Sequence, residues 1–197
     1  MQPLLPLIVE PAQLAEQLGA QKLLIVDLCK PEIYASQHIP GAVHLDYTRL
    51  IMAQPPVMGL LPDDDHLSEL CSALGLGPDM HVVAYDDEGG VKACRLLWTL
   101  DVIGHAHFSL LNGGLRAWLA GRHPVSKVPA RASASHYQVA RSGRALADKE
   151  VIVYCQTHHR SSHTYIALKS LGYPRIKGYP GAWSEWGNST DTPVEAS

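Results

Sequence analysis

Short runs of branched apolar residues alternate with stretches of helical periodicity along most of the chain. Residues 8–18, IVEPAQLAEQL, open with a short strand. A helix follows to Leu18, with Pro11 in its first turn and Leu14 and Leu18 one helical turn apart. Leu23–Asp27 has strand composition and ends in an acid, Pro31–Tyr34 begins a short helix, and a turn at Pro40-Gly41 leads into a strand at Val43–Leu45. Gln54–Pro62, rich in proline and glycine, reads as a loop. Beyond it, Asp64–Leu74 is a helix ending at Gly75, with Asp63-Asp64-Asp65 as its cap and solvated face, and Val82–Tyr85 is a strand. Lys92–Val102 is helical and stops at Gly104, Ser109–Leu111 is a strand, and Gly113–Leu119 is a helix that turns at Gly121. Strands with apolar residues on both faces, joined to helices by short turns, predict a parallel α/β sheet.

The stretch with the most chemistry is Glu150–Ser162, EVIVYCQTHHRSS. Val151–Tyr154 is a strand by composition, so Cys155 stands at a strand end. Downstream, Tyr165, Ile166, Leu168 and Leu171 fall at helical spacing, and Gly172 with Pro174 supplies the stop. Cys155 therefore begins a tight loop that feeds a helix N-terminus. A thiol with an ordinary pKa of about 8.5 is only about 3% ionised at pH 7, and making the thiolate dominant takes ~2 units, about 2.7 kcal/mol. A helix dipole contributes roughly 0.3–1 kcal/mol, too little alone. The remainder requires loop amides aimed at the sulfur, with positive charge from Arg160 and from protonated His158 or His159. The other reading of these residues is a packed, inert cysteine at a strand end.

Composition narrows the class. The 197 residues suffice for one ordinary domain or two small ones, and a net charge of −3 excludes a strongly basic surface for nucleic acid or anionic membrane. Cys29, Cys71, Cys94 and Cys155 lie far apart with no C-x-x-C pair, which excludes a zinc knuckle or disulfide framework and fits a reducing compartment. The N-terminus is interrupted by Pro3 and Pro6 and lacks a basic start, which makes a poor signal peptide, and no apolar run approaches the ~20 residues of a membrane span. The expectation is cytoplasmic.

An internal repeat is also present. Val83–Asp87 matches Ile152–Gln156 at an offset of 69, while Gly104 with Gly172, Gly113 with Gly181 and Trp118 with Trp186 match at 68. The first copy carries Asp86 where the second carries Cys155.

These residues resemble the rhodanese family, specifically the tandem-domain thiosulfate sulfurtransferases. The first copy carries the resemblance in IVDLCKPEIYASQHIPGAVHLD, VVAYDDEGG and LLNGGLRAWLAGRHPV, and the second in VIVYCQTHHRSSHTYIALKSLG and YPGAWSEWG. The resemblance implies a rhodanese-like parallel sheet flanked by helices, in two tandem copies. It implies double-displacement sulfur transfer, with Cys155 as nucleophile and persulfide carrier. Gln156, Thr157, His158, His159, Arg160 and Ser161 form the substrate-binding loop, with thiosulfate as donor and cyanide as a typical acceptor. The six-residue span from Cys155 to Arg160 suits a sulfur atom; phosphatases of similar fold use a loop one residue longer.

No cofactor is expected, and the irregular spacing of His158, His159 and His163 argues against a metal. The histidines instead set charge and hydrogen bonding around the persulfide, titrating near neutral pH. Cys29, where the family usually has arginine, is structural; Tyr179, Trp183 and Trp186 are core aromatics; and Asp86-Asp87-Glu88 repels anions, marking a former or never-active site. Partners are a small sulfur donor and acceptor, with a protein acceptor as a further candidate.

The second copy departs from the pattern. Residues 1–125 form a noncatalytic domain, 126–148 a linker or deletion junction, and 149–197 the C-terminal half of a catalytic domain. About fifty residues of front half are missing, including an arginine that relatives place beside the substrate. A stretch lost with Ala147–Glu150 at or near the join, a naturally shortened chain and completion by a partner are the three explanations. Because an isolated half sheet leaves apolar faces uncovered, the first is favoured. A catalytically inactive interaction module is the rival to the enzyme reading, and a cysteine-dependent phosphatase a more distant one.

Overall fold

The computed structural model of the chain describes residues 3–133, 135–141 and 151–194. In chain order the first part holds β1 (Ile8–Val9), α1 (Pro11–Glu16), β2 (Leu23–Asp27), α2 (Pro31–Ser36) and β3 (Val43–His44). After a 3-10 turn at Tyr47–Leu50 come β4 (Met52–Gln54), β5 (Val57–Leu60), α3 (Asp64–Ala73), β6 (His81–Tyr85), α4 (Val91–Val102), β7 (Phe108–Leu111) and α5 (Gly114–Ala120). The remainder adds β8 (Val151–Val153), α6 (His159–Ser170), β9 (Ile176–Gly178) and α7 (Ala182–Trp186).

The main sheet is parallel with strand order β1-β7-β6-β2-β3. Because side chains alternate across a strand, each strand feeds two cores. Leu24, Val26, Val82 and Ala84 join Leu67 and Leu70 of α3 and Leu97 of α4 on one face. Ile25, Val83 and Tyr85 join Leu14 of α1 with Leu115 and Trp118 of α5 on the other. The parallel α/β architecture expected from the sequence is present, and Asp63 caps α3 by accepting from the His66 amide at 2.8 Å.

Helix α4 is the pivot. Every residue from Ala93 to Val102 is buried, which an amphipathic helix on a sheet does not achieve unless something covers its outer side. That cover is α6, whose Tyr165 and Ile166 share the core with α4, as does Ile176 of β9. One polar residue of α4 is satisfied there too: the Asp101 carboxylate accepts from Tyr165 Oη at 2.6 Å and pairs with Lys169. The cysteine-bearing half is thus packed on the first copy, while its own β8-β9 parallel pair stands apart from the main sheet.

Several sequence expectations are corrected. Gln54–Pro62 is mostly an antiparallel hairpin, β4-β5, whose Pro55-Pro56 and Gly59 hide the strand composition. Residues 135–141 show no apolar pattern but lie against α3 and the turn after it through individual bonds: Ser135 Oγ donates to the Leu76 carbonyl at 2.7 Å, the Tyr137 amide donates to Ser72 Oγ at 3.0 Å, and Val139 is buried. Trp183 and Trp186 are not core residues. They remain 41% and 39% exposed and, with Ile152, Tyr154 and Tyr179, line an open apolar hollow of about 660 Å³. Among the described residues no helix lies on the outer face of the β8-β9 pair to bury them. The expected join at Ala147–Glu150 lies outside the described residues. Among the described residues no helix is long and apolar enough to cross a membrane.

Shared burial of α4 and α6 has a measurable consequence. Ile166 is 1% exposed, and Ile166→Ala is expected to lower unfolding stability by about 2–5 kcal/mol in a urea titration. A loss below about 0.5 kcal/mol, the range of surface substitutions, would mean that the two helices do not share a core.

Candidate active site

Cys155 follows β8 directly and is half-buried at the mouth of a hollow of about 310 Å³, lined also by Ile152, Val153, Tyr154, Arg160, Ser161 and Thr164. The loop is hung from α7: the Trp183 amide donates to the Cys155 carbonyl at 2.9 Å and the Ser184 amide to the Gln156 carbonyl at 3.0 Å. With its carbonyls fixed outward, the loop turns its amides inward. His158 adopts a left-handed conformation, φ 57°, and α6 starts at once behind it. The first amides of a helix have no partner within it. Here those of Arg160 and Ser161, with the Thr157 amide and the Ser161 hydroxyl, converge on the Cys155 sulfur.

The thiol therefore feels two opposed effects. Burial raises its pKa, and the Ser161, Thr157 and Arg160 amides with the Ser161 hydroxyl lower it; the donors prevail and bring it from an ordinary 9.0 to about 7. That makes roughly fifty-fold more thiolate at pH 7 than the unshifted group would have. Cys71, by contrast, is pushed up to about 12 by burial, and burial pushes Cys29 and Cys94 up further still. Cys29 is buried and structural, as expected.

The histidines do not act as the sequence led us to expect. His158 is fully buried, and burial, with the nearby Arg95 cation, drives its pKa down to about 3. Its ring stands edge-on to Trp98, centroids 4.5 Å apart. His158 is neutral at pH 7, so its part is hydrogen bonding alone: Nδ1 lies 2.7 Å from Ser161 Oγ. The tautomer with its proton on Nδ1 donates to that oxygen and frees the single serine proton for the sulfur. His159 is also lowered, chiefly by burial, and its Nδ1 is hydrogen-bonded to Tyr47 Oη, a hydroxyl that burial raises to about 12 and so keeps protonated. Arg160 lines the hollow with an exposed side chain and reaches the sulfur through its amide. Gln156 is exposed and contributes its carbonyl to the anchor from α7.

Residues from the first copy complete the site, and sequence reasoning missed them. The Ser184 hydroxyl links α7 to the β4-β5 hairpin, accepting from the Met58 amide at 3.3 Å, with its oxygen 3.0 Å from the Met58 carbonyl. Gly59 lies so close to the loop that a Cβ there would meet the Thr157 carbonyl at 2.5 Å. Arg95 of α4 is wholly buried nearby. Its charge within the apolar run ACRLLWTL was the available signal.

The matching loop of the first copy explains the repeat. Asp86 occupies the Cys155 position, and its carboxylate accepts from the amides of Glu88 at 2.9 Å, Gly90 at 2.7 Å, Lys92 at 2.8 Å and Ala93 at 3.0 Å. The acid does more than repel incoming anions. It is itself the anion in the cradle. Among the described residues no group of three metal-ligating side chains comes together.

The rhodanese-like domain family matches residues 10–121 and 125–189. A thiosulfate sulfurtransferase of Pseudomonas aeruginosa is 40% identical over 264 positions, covering 97% of each chain. That span exceeds the 197 residues present here, so the alignment crosses positions of the relative that have no counterpart in this chain. The sulfur carrier protein TtuD of Thermus thermophilus is 25% identical, covering 82% of this chain and 86% of its own. The crystal structure of SseA from Escherichia coli, described as a 3-mercaptopyruvate sulfotransferase, superposes with a TM-score of 0.76 at 19% identity, covering 90% of this chain and 99% of that one.

The electrostatics of the loop can be tested directly. Alkylation of Cys155 by iodoacetamide, followed by mass spectrometry, is expected to reach half its plateau rate near pH 7, with thiol below and thiolate above. Ser161→Ala, which removes one donor to the thiolate, is expected to move that midpoint upward. A midpoint that stays near 9 in the folded protein would contradict the cradle.

Proposed function

The chain belongs to the rhodanese-like domain family, and from that premise we propose that it is a thiosulfate sulfurtransferase with Cys155 as the sulfur carrier. The observation that carries this reading is a thiol lowered to about 7 by converging donors at the mouth of an open hollow. In the first step the Cys155 thiolate attacks the outer sulfur of thiosulfate. A sulfur–sulfur bond forms, the bond to the sulfonate sulfur breaks, and sulfite leaves with the electron pair. In the second, the carbon of cyanide attacks the outer sulfur of the persulfide. Thiocyanate departs and the thiolate returns. The amides of Thr157, Arg160 and Ser161 stabilise the anionic sulfur in both resting forms, and the Arg160 side chain in the hollow is placed for the sulfonate.

Thiosulfate is favoured as donor over 3-mercaptopyruvate because the relative at 40% identity carries that name, whereas the likeness to SseA, at 19%, concerns the fold. The relation to a sulfur carrier protein supports a protein as a further acceptor. All four cysteines are free, in keeping with a reducing cytoplasm. Residues 1–125 act as a noncatalytic domain, 126–148 as the junction, and 149–197 as the half of a domain that bears the sulfur. The 264-position alignment supports a stretch of the relative that this chain lacks, since a 197-residue chain covers it only with a gap. The uncovered apolar hollow beside β8 favours a second reading, in which the chain is an inactive interaction module.

One pair of measurements separates them. Incubation with thiosulfate is expected to add about 32 Da, one sulfur atom, to Cys155, and thiocyanate is expected to form when cyanide follows. Cys155→Ser is expected to reduce both to background. A folded protein with a free Cys155 thiol that neither loads sulfur nor forms thiocyanate would sink the enzyme reading and leave the module.

A further inference from the structure

Arg95 presents an energetic problem. It lies at 0% exposure on a helix buried on all sides, and no carboxylate pairs with it among the described residues. Burying a guanidinium is costly unless its charge and donors are answered. Nη2 donates to the Gly59 carbonyl at 2.8 Å and more weakly to that of Leu60 at 3.3 Å, while Nε and Nη1 find no acceptor. The Trp98 ring, 4.8 Å from Cζ, adds a cation–π contact. Burial lowers the pKa only to about 10, so the group stays cationic at neutral pH.

What faces this cation identifies its purpose. From the 3-10 turn comes Tyr47, protonated; from the loop and the start of α6 come His158 and His159, both held below their ordinary pKa. Among the described residues the groups that favour the Arg95 charge are Tyr47 and Cys155, and of the two the Cys155 thiol is the one that ionises near neutral pH. The contacts run the same way: Arg95 grips Gly59, Gly59 abuts Thr157, and the Thr157 amide serves the Cys155 sulfur. On the other side the Trp98 ring beneath the guanidinium meets His158.

We propose that Arg95, from the half of the molecule without a cysteine loop, is a positioning residue for the Cys155 site. It holds the β4-β5 hairpin seated on Thr157, whose amide serves the sulfur, and its permanent positive charge favours the thiolate over the thiol. The inference rests on Cys155 being the sulfur carrier, and it makes the first copy part of the working site.

The experiment follows Cys155 alkylation against pH in the full chain, with folding checked by circular dichroism. Arg95→Met is expected to raise the midpoint by about half to one pH unit, slowing alkylation at pH 6 by roughly 3–10-fold. Arg95→Lys, which keeps the charge and loses the planar fork, is expected to bring the midpoint back to within about 0.3 unit. A purely structural arginine would move stability in both variants and the midpoint in neither. A folded Arg95→Met protein with an unchanged midpoint overturns the proposal. Should that variant not fold, Arg95→Gln, which keeps a donor for Gly59, carries the same test: a raised midpoint supports the proposal and an unchanged one overturns it. Alkylation needs no sulfur donor. A shifted midpoint without thiocyanate formation by the parent chain would therefore remove the sulfurtransferase reading and leave the role of Arg95 standing.

Discussion

Backbone amides that converge on one negative atom are the constraint to which the rest of this molecule is fitted. A strand that ends in a tight turn and then a helix leaves several N–H groups without carbonyl partners, and buried donors need an acceptor. The chain solves this twice. In one copy the acceptor is the Cys155 sulfur, in the other the Asp86 carboxylate. The two loops share a geometry and differ in what fills it, which is why one copy has chemistry to offer and the other has none.

Holding such a loop open is a matter of what lies behind it. The Cys155 loop hangs from α7 through its carbonyls, and α7 is tied by Ser184 to a hairpin of the first copy. Helix α6, which supplies two of the amides, is laid on α4, so the sheet of the first copy is the ultimate support of the sulfur. The short β8-β9 pair could not do this alone, since two strands with one apolar face bare are marginal in water.

Much of the architecture was legible in the sequence because it depends on local pattern. The alternation of branched runs with helical periodicity located most strands and helices to within a residue or two, though not β9 and α7, and the repeat aligned Asp86 with Cys155. What escaped depends on distant neighbours. Whether His158 carries a proton is decided by Trp98 and Arg95, some sixty residues away, and nothing in THHRSS reveals that they bury it. The hairpin at Met52–Leu60 was obscured by its own prolines and glycine. Trp183 and Trp186 look like core residues by type, and their exposure follows from the absence, among the described residues, of anything over β8-β9. Arg95 lay in view as a charge inside the apolar run ACRLLWTL, but only the packing of α6 over α4 shows how costly its position is.

The filling of the first cradle by a carboxylate has a consequence for damage. A thiolate exposed to peroxide climbs toward sulfinate and sulfonate and loses its nucleophilicity on the way. Asp86 has no such ladder. Oxidative injury thus strikes one loop and spares its twin, so the framework on which the sulfur rests outlasts the loss of the sulfur's own reactivity.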